Sequence, residues 1–433
     1  MLPVADIEAV SKPHVGRINS AAELETLRQE LTRLYTSRGY VNSGVLLPAR
    51  VDDGVLMMTA VEGRLSAVRL RGAERLDERY LRARLAGDAG EILNMEVLRE
   101  RFQLLLADPL VARLNARMMP GEQPGEAILD VDLVRARAWQ FGVFANNYRP
   151  VAIGSQSIGA SGGVRNLTGQ GDALDASVQG STQGSRGLRG ALNWSMPLGH
   201  AGTSFQLGLD AGSSSVIEEA TRELDIRSRL ASVDVGISHV VRETLQRKFV
   251  VGASAMRREN RTWLLDEPFS FVPGEPDGHV RETVLRAWGD YARRSATQVF
   301  AMRATLTAGR NNIEAVTGLP ATRIPARRFQ VLQGQVHYGR QMGVAGGQLV
   351  LRAVAQYTGD RLLALDGLAI GGVSTVRGYR ENLLVRDRGA YINAEYEYPV
   401  KTDAQRSLAW TLVPFVDVGH AQNVGESGVT LVW

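Results

Sequence analysis

One short segment holds residues whose types and spacing could do chemistry. Arg377 precedes a strand-like run in which Asn393 and Glu395 occupy alternate positions, and Asp417 stands on a later run. Because alternate residues of a strand share a face, Asn393 and Glu395 lie side by side. An arginine guanidinium can bind a carboxylate through two parallel hydrogen bonds, which fixes orientation as well as charge. The chemistry available here is therefore ion pairing between a loop and strands, without bond making.

The side chains that enzymes need are dispersed. The six His residues show no metal-ligand spacing, and the chain has no loop of the Gly-x-x-x-x-Gly-Lys-Ser/Thr type for a nucleotide. The sequence therefore predicts a protein that is not an enzyme and that uses no cofactor or metal. The basic residues, 50 Lys+Arg against 46 Asp+Glu, are scattered. Nucleic-acid binding is consequently not expected.

The composition is compatible with one kind of membrane protein, a β-barrel. Of the 433 residues, 44% are hydrophobic and 22% are charged. No uncharged apolar run reaches the roughly 18 residues that a spanning helix needs, so no transmembrane helix is predicted. A β-barrel stays possible, because its lipid-facing residues alternate with polar ones and average to a soluble-looking composition.

Residues 1–136 show the mixed helix and strand patterns of small modules. Ser20 and Glu23 form a capping box for a helix that continues to Tyr35, and two strand-like runs follow it. A similar set of elements then recurs: strands at Ala67–Leu70, Val111–Met118 and Ile128–Val134, and helices at Asp77–Leu85 and Asn94–Ala107. The sequence therefore predicts two α+β domains, 1–64 and 65–136, of which the first looks incomplete at its start.

From residue 137 to residue 433 the hydrophobic period is two. Leu349 and Leu351, for example, alternate with Gln348 and Arg352. About 13–14 such runs are visible, many of them near the length of a membrane strand. Short connections alternate with long ones: Pro197–Thr203 and Met342–Gly346 are tight, whereas Glu259–Gly278, Ala308–Ala326 and Asp360–Arg388 are long. This pattern favours an antiparallel transmembrane β-barrel.

A soluble β-sandwich or propeller would also show alternation. The unequal connections and the aromatic residues near strand ends favour the barrel, because such residues form a girdle at a membrane interface. The aromatic residues in question are Trp194, Tyr357, Tyr396, Tyr398 and Trp410.

The segment Gly367–Pro399 resembles the inward-folded loop and following strand of two-partner secretion outer-membrane transporters of the haemolysin secretion/activation family. Its matching residues are Gly371, Gly372, Val376, Arg377, Gly378, Tyr379, Glu381, Gly389, Asn393 and Glu395. A second family element matches at Phe415, Asp417 and Gly419. Leu34–Pro48 and Val68–Leu85 resemble the first and second periplasmic polypeptide-transport-associated (POTRA) domains, so the resemblance covers nearly the whole chain.

The resemblance implies that residues 360–388, here called the inward loop, fold into a barrel that has 16 strands in the family. It further implies that Arg377 pairs mainly with Asp417; we call this pair the latch. By alternation, Glu395 and Asp417 point into the lumen. Gly378 beside Arg377 would permit close backbone approach. We expect the latch to position the loop so that the pore can open.

The implied function is an outer-membrane pore, with its N-terminal domains in the periplasm, that secretes an unfolded partner exoprotein of haemolysin or adhesin type without ATP. The expected surroundings are outer-membrane lipid, and the barrel is expected to be monomeric. Substrate contact is expected at the edge strand formed by Ala67, Val68, Arg69 and Leu70, through strand addition. A barrel-assembly factor of the same superfamily is the main alternative, and a passive porin is a weaker one.

Two departures from the family pattern are visible. The signal peptide, the plug helix and the linker that the family places before the first module are missing. After Phe415–Gly419 only one strand-like stub follows, Gly428–Trp433. The sequence therefore predicts a barrel that is short of its family's strand number, as in a truncated gene or a partial record; a natural fourteen-stranded barrel is the alternative.

Overall fold

The computed structural model describes residues 2–48, 54–72, 76–86, 91–184, 187–199, 202–343, 346–403 and 408–433. It divides into two compact units. One unit comprises Met1–Ala138 and Thr168–Gly171, and the other comprises Trp139–Leu167 and Asp172–Trp433. The sequence-based boundary at 136/137 falls two residues from this division. The subdivision of the first unit into domains 1–64 and 65–136 remains a prediction.

In its described residues, the N-terminal unit contains four α-helices and five strands. The helices are α1 (Val4–Ser11), α2 (Ala21–Ser37), α3 (Glu78–Ala86) and α4 (Met95–Leu106). The strands are β1 (Gly44–Leu46), β2 (Thr59–Val61), β3 (Arg64–Arg71), β4 (Val111–Pro120) and β5 (Glu126–Arg135). Helix α1 was not predicted from the sequence. Among the described residues, no helix is long and apolar enough to cross a bilayer.

The capping box of α2 forms as predicted. The Ser20 backbone N–H donates to the Glu23 carboxylate (2.7 Å), and the Glu23 N–H donates to the Ser20 hydroxyl (3.3 Å). These hydrogen bonds hold the pKa of Glu23 below its ordinary value, and the bond from the Ser20 backbone has the largest effect. The helix buries Leu27 and Leu31 against Val45 of β1.

The second predicted domain folds as a three-stranded sheet covered by two helices. Strand β5 lies in the centre, parallel to β3 and antiparallel to β4. Leu81 and Leu85 of α3 and Leu98 and Leu105 of α4 are buried against Val131 of β5. The order strand, helix, helix, strand, strand leaves β3 at one edge of the sheet and β4 at the other.

As far as the structure describes it, the second unit is built around one large antiparallel sheet of 16 strands. Its strands are β6 (Trp139–Asn146), β7 (Ser157–Arg165), β8 (Ala173–Ser181), β9 (Leu188–Leu198), β10 (Thr203–Ser215), β11 (Arg227–Glu243), β12 (Arg247–Leu264), β13 (Glu267–Pro268), β14 (His279–Arg294), β15 (Gln298–Asn311), β16 (Arg328–Gln341), β17 (Gln348–Tyr357), β20 (Arg388–Asp403), β21 (Leu408–Leu412), β22 (Phe415–Gln422) and β23 (Val429–Val432). A separate hairpin, β18 (Leu368–Ile370) with β19 (Leu384–Arg386), lies between β17 and β20.

The order of the large sheet is a meander. Fourteen strands follow one another from β6 to β23, and β13 and β21 are short additions beside β12 and β20. This agrees with the 13–14 strands visible in the sequence and confirms the predicted antiparallel β-barrel class. The two tight turns predicted at Pro197–Thr203 and Met342–Gly346 include residues outside the described part. The strands that flank them end at Leu198 and Gln341 and resume at Thr203 and Gln348.

The two faces of the sheet differ as the alternation requires. Register pairs Asn393 of β20 with Asp417 of β22 and with Arg352 of β17, so these polar residues share the face that the inward loop contacts. We call it the inner face. Ile392 lies on the opposite face and is 46% exposed. This exposure is expected of an apolar residue that contacts lipid in the membrane.

Candidate functional site

The inward loop is packed against the wall. Its hairpin strand β18 contributes Leu368 and Ile370, and the following turn contributes Val376. These side chains form one buried cluster with Ala421 of β22 and Leu431 of β23. Ile370 and Val376 are fully buried. Apolar burial thus holds the loop on the last two strands of the sheet, next to the polar residues of the site.

The two latch residues are in contact. The Nε and Nη2 atoms of Arg377 donate to the two carboxylate oxygens of Asp417, at 2.6 and 2.7 Å, and the backbone N–H of Arg377 donates to the same carboxylate at 3.0 Å. Asp417 is completely buried on the inner face of β22. The pairing is bidentate, so it fixes the orientation of the guanidinium as well as its position.

A second carboxylate and an aromatic ring also contact the guanidinium of Arg377. Its Nη1 donates to Glu395 of β20 at 2.8 Å, and Glu395 also accepts from Arg352 of β17 at 3.2 Å. The guanidinium lies 3.5 Å from the ring centroid of Phe415, close enough for a cation–π interaction. Two arginines thus face two carboxylates, and the cluster is charge-balanced.

Asn393 ties the wall to the loop backbone. Its amide donates to Asp417 at 2.8 Å and also to the backbone carbonyl of Thr375. Because Asp417 keeps this amide as a partner, its carboxylate is held in the orientation that receives Arg377. Asn393 therefore supports the latch from the wall side.

Gly378 and Tyr379 bring the loop against the last described residues. Gly378 has φ +80°, and a Cβ at this position would overlap the ring of Trp433. A side chain is thus disfavoured both by backbone conformation and by space. The Tyr379 hydroxyl donates to the backbone carbonyl of Val432 at 3.2 Å.

The remaining motif residues shape the turn and its seat. The N–H of Val373, which follows Gly371 and Gly372, donates to the Glu381 carboxylate at 2.7 Å, and this bond closes the turn. Gly419 lies on the inner face of β22, where a Cβ would stand 2.7 Å from Ile370 and 2.9 Å from Val376.

Gly389 is placed differently. It lies in β20, between Gln356 of β17 and Ala421 of β22, and does not touch Arg377 in any interaction that the structure describes. Its backbone pairs with both neighbouring strands. Its position therefore supports the wall rather than the latch.

The residues predicted to contact substrate lie at the edge of their sheet. Strand β3 pairs only with β5 in the described part of the chain, apart from a single bridge between Arg64 and Ile92. Val68 is buried in the domain core and Leu70 packs against it, whereas Arg69 is exposed and Ala67 is half-buried. Side-chain contact with a partner is therefore restricted to Arg69 and Ala67, and Val68 and Leu70 can take part only through their backbone.

Sequence reasoning missed a second charged cluster. Arg258 of β12 donates to Glu282 of β14 and, at 2.6 Å, to Asp366 of the inward loop. Glu282 is 1% exposed. The alternation of Val280, Glu282 and Val284 placed an acid among buried apolar residues. That was the one available signal, but no motif linked Glu282 to a loop residue 84 positions away.

In the described ranges, no group of three or more His, Asp or Glu is arranged to hold a metal ion.

Two family models match the chain. The model described as haemolysin secretion/activation protein ShlB/FhaC/HecB matches residues 125–432, and the model of the POTRA domain, ShlB-type, matches residues 1–63. The outer membrane transporter CdiB of Dickeya dadantii is 23% identical over an alignment of 446 positions that covers 98% of this chain and 74% of that protein. The heme/hemopexin transporter protein HuxB of Haemophilus influenzae is 25% identical over 182 residues, 41% of this chain and 32% of that one.

Solved structures show the same architecture. CdiB from Escherichia coli matches 100% of this chain and 80% of its own, with a TM-score of 0.75 at 21% identity. BamA from Haemophilus ducreyi lacking POTRA domains 1–3 matches 94% of this chain and 82% of its own, with a TM-score of 0.56 at 11% identity. At these identities the likeness concerns the fold alone.

Proposed function

We propose, from the premise that this chain belongs to the haemolysin secretion/activation family, that its barrel secretes an unfolded partner exoprotein to the cell surface without ATP. The chain is a two-partner secretion transporter of the outer membrane, with POTRA structure at its periplasmic N-terminal end and a β-barrel after it. The identity of the cargo and the absence of a nucleotide requirement are the parts that we propose.

One observation supports the proposal most directly: an ion pair that can break and re-form holds the inward loop on the barrel wall. The Arg377–Asp417 contact is ionic and bidentate, and the side chain of Arg377 is 22% exposed. If the tip leaves, the guanidinium can be hydrated, while Asp417 keeps Asn393 and Glu395 keeps Arg352 on the wall. The loop can therefore move away without leaving either wall carboxylate without a partner. This is what a reversible pore closure needs.

We propose that the cargo is a haemolysin- or adhesin-type exoprotein that crosses as an extended chain. The periplasm supplies no ATP, so folding of the cargo outside the cell would drive its exit. Capture would begin at the free edge of β3, where main-chain hydrogen bonds add a strand and Arg69 contributes the exposed side chain. The barrel would act as a monomer in outer-membrane lipid.

One sequence pattern that hydrolases use occurs in the chain. Gly159–Gly163 does read G-x-S-x-G, the pattern of a nucleophile elbow. That elbow requires a sharp turn from a strand into a helix, whereas Ser161 lies in the middle of β7, paired with β6 and β8. Ser161 is therefore a wall residue.

A barrel-assembly factor is the second candidate, because the fold of BamA is shared over most of this chain. The secretion family model nevertheless matches residues 125–432, including the whole site, and this favours export. A passive porin would have no use for N-terminal modules.

Reconstitution tests the proposal. The purified chain would be placed in liposomes, and the unfolded product of a neighbouring exoprotein gene would be added without nucleotide. Protease-protected exoprotein should accumulate in the lumen, and a chain lacking residues 1–136 should conduct ions but import none. Import that requires ATP, or import that survives the deletion unchanged, contradicts the proposal. Insertion of other barrels instead of import would identify an assembly factor.

A further inference from the structure

The inward loop has a second ionic contact with the wall, at its beginning. We call Arg361–Asp366 the root segment and Gly371–Glu381 the tip segment. Asp366 accepts from Arg258 Nη2 at 2.6 Å, the same nitrogen donates to Glu282, and Arg258 Nη1 donates to the Leu365 carbonyl at 3.4 Å. The exposed fractions of the side chains are 11% for Arg258, 1% for Glu282 and 8% for Asp366.

Apolar packing accompanies this contact. Leu362 is buried with Val284 and Phe329, and Leu363 is buried with Val280 and Ile313. The root segment therefore lies on β14 and its neighbours. Strands β15, β16 and β17 separate β14 from β20, where the tip segment is held. The loop is thus fixed at two separate places on the wall.

The cluster of Arg258, Glu282 and Asp366 holds one positive and two negative groups when all three are ionised. Two carboxylates accept from one guanidinium nitrogen, so the two acids are neighbours. One oxygen of each, Glu282 Oε1 and Asp366 Oδ2, is buried without a hydrogen-bond partner, and so is the Nε of Arg258. An uncompensated buried negative charge and two buried oxygens without donors are both unfavourable. A single proton on one of the two acids would remove the excess charge and turn one buried oxygen into a hydrogen-bond donor.

In the described part of the chain, no cation other than Arg258 pairs with the two acids. Among the described residues, Arg258 of β12 donates a hydrogen bond to Glu282, and Asp366 of the loop accepts from the same arginine nitrogen. Arg286, the next basic residue along the inner face of β14, is paired with Asp234 of β11 at 3.5 Å. Strand β16 presents the apolar Phe329 and Val331 to the cluster.

We propose that Arg258, Glu282 and Asp366 form a proton-dependent anchor that positions the root of the inward loop independently of the latch. With the proton present, the cluster is neutral and the root stays on the wall. When the proton leaves, Glu282 and Asp366 repel each other, and the root is released while Arg258 and Glu282 remain paired on the wall. The inference rests on the proposed role of the loop as the pore closure.

Conductance of the purified chain in planar bilayers, measured from about pH 5 to about pH 9, tests the anchor, because a proton bound by a carboxyl group is lost as the pH rises. The series comprises the native chain, Glu282→Gln, Arg377→Ala and the double variant. The amide of Glu282→Gln donates a hydrogen bond as the protonated acid does, but it cannot titrate. Asp290→Asn is the matched control, because Asp290 pairs with Arg303 on the inner face and contacts no loop residue in any pair that the structure describes. Slower gel migration after heating verifies that each variant is folded.

The open fraction of the native chain should rise severalfold with pH, and that of Arg377→Ala should rise more steeply. Both responses should become flat with Glu282→Gln, whereas Asp290→Asn should keep the rise. A flat response in the native chain and in Arg377→Ala, or a rise that persists with Glu282→Gln, overturns the anchor. If Arg377→Ala leaves secretion unchanged while the pH response is lost with Glu282→Gln, the latch fails and the anchor stands.

Discussion

Arg377 of the inward loop and Asp417 of β22 meet through three hydrogen bonds, although 40 positions of sequence separate them. Two of these bonds come from the guanidinium and one from the backbone of Arg377. The carboxylate thus binds the loop main chain as well as the side chain. Removal of the arginine side chain leaves the backbone bond, whereas removal of the carboxylate loses all three.

This asymmetry predicts the order of effects at the latch. Asp417→Ala should reduce secretion more than Arg377→Ala does. Charge reversal at either site should reduce it further, because two like charges then face each other at the wall. The double reversal Arg377→Asp with Asp417→Arg should restore part of the activity. Secretion of the exoprotein into the medium, normalised to folded barrel in the outer membrane, measures this.

Two results would contradict this view of the latch. One is normal secretion by Arg377→Ala. The other is a double reversal that secretes no better than the worse single variant. Arg303→Asp is a suitable control, because Arg303 forms a wall pair with Asp290 through two hydrogen bonds of 2.7 and 2.9 Å, away from the loop.

The part of the site that follows from alternation could be read from the sequence. A period of two placed Asn393, Glu395 and Asp417 on one face, because successive side chains of a strand point in opposite directions. The family motif then supplied Arg377 as their partner. Alternation fixes which face a residue occupies, but it does not fix which residue of a loop lies opposite.

For that reason Arg258 and Asp366 were not connected in advance. They are 108 positions apart, and their contact depends on how the loop returns across the sheet. The hairpin of β18 and β19 was missed because each strand has three residues, too few for a period to be visible. Helix α1 was missed because Val4–Ser11 has no side-chain cap and buries no residue.

Gly378 should tolerate no side chain. Gly378→Ala would place a methyl group against Trp433 and would require an L residue at φ +80°. We expect a loosened tip segment and a higher basal conductance, with the barrel still folded. Gly343→Ala, where nothing lies within 4 Å of the added Cβ, should behave as the native chain. Equal conductance for the two variants would show that the Gly378–Trp433 contact has no part in closure.

The edge strand predicts a directional cross-link. A photoreactive amino acid at Arg69, on β3, should capture the exoprotein during secretion. The same group at Arg117 should not, because Arg117 is on β4 at the other edge of the same sheet and is also exposed. Gel shifts of the cross-linked product measure both. Capture from Arg117 but not from Arg69 would contradict this prediction, because the exoprotein would then lie at β4 instead of β3.

The cap of α2 predicts a pH-dependent stability. Ser20→Ala should cost about 1 kcal/mol of helix stability. The pKa of Glu23 is lowered in the folded chain, so its contribution is present above its ordinary value of 4.5 and is lost as the pH falls through the lowered pKa. In the native chain, hydrogen-exchange protection of residues 21–37 should decrease as the pH falls through this range. In Ser20→Ala the decrease should be much smaller. Thr26→Ala, on the exposed side of the same helix, should keep the native trend.

Movement of the tip segment during secretion is the central claim, and a reversible cross-link tests it most directly. The chain has no cysteine, and a Cβ at Gly419 would lie 2.9 Å from the side chain of Val376. Cysteines at these two positions are therefore close enough for a disulfide. The measurement is the secretion rate of Val376→Cys/Gly419→Cys before and after reduction, beside each single variant. The account predicts that the oxidised chain secretes nothing and that reduction restores the rate of the single variants, whereas equal secretion by the oxidised and reduced chains would contradict it.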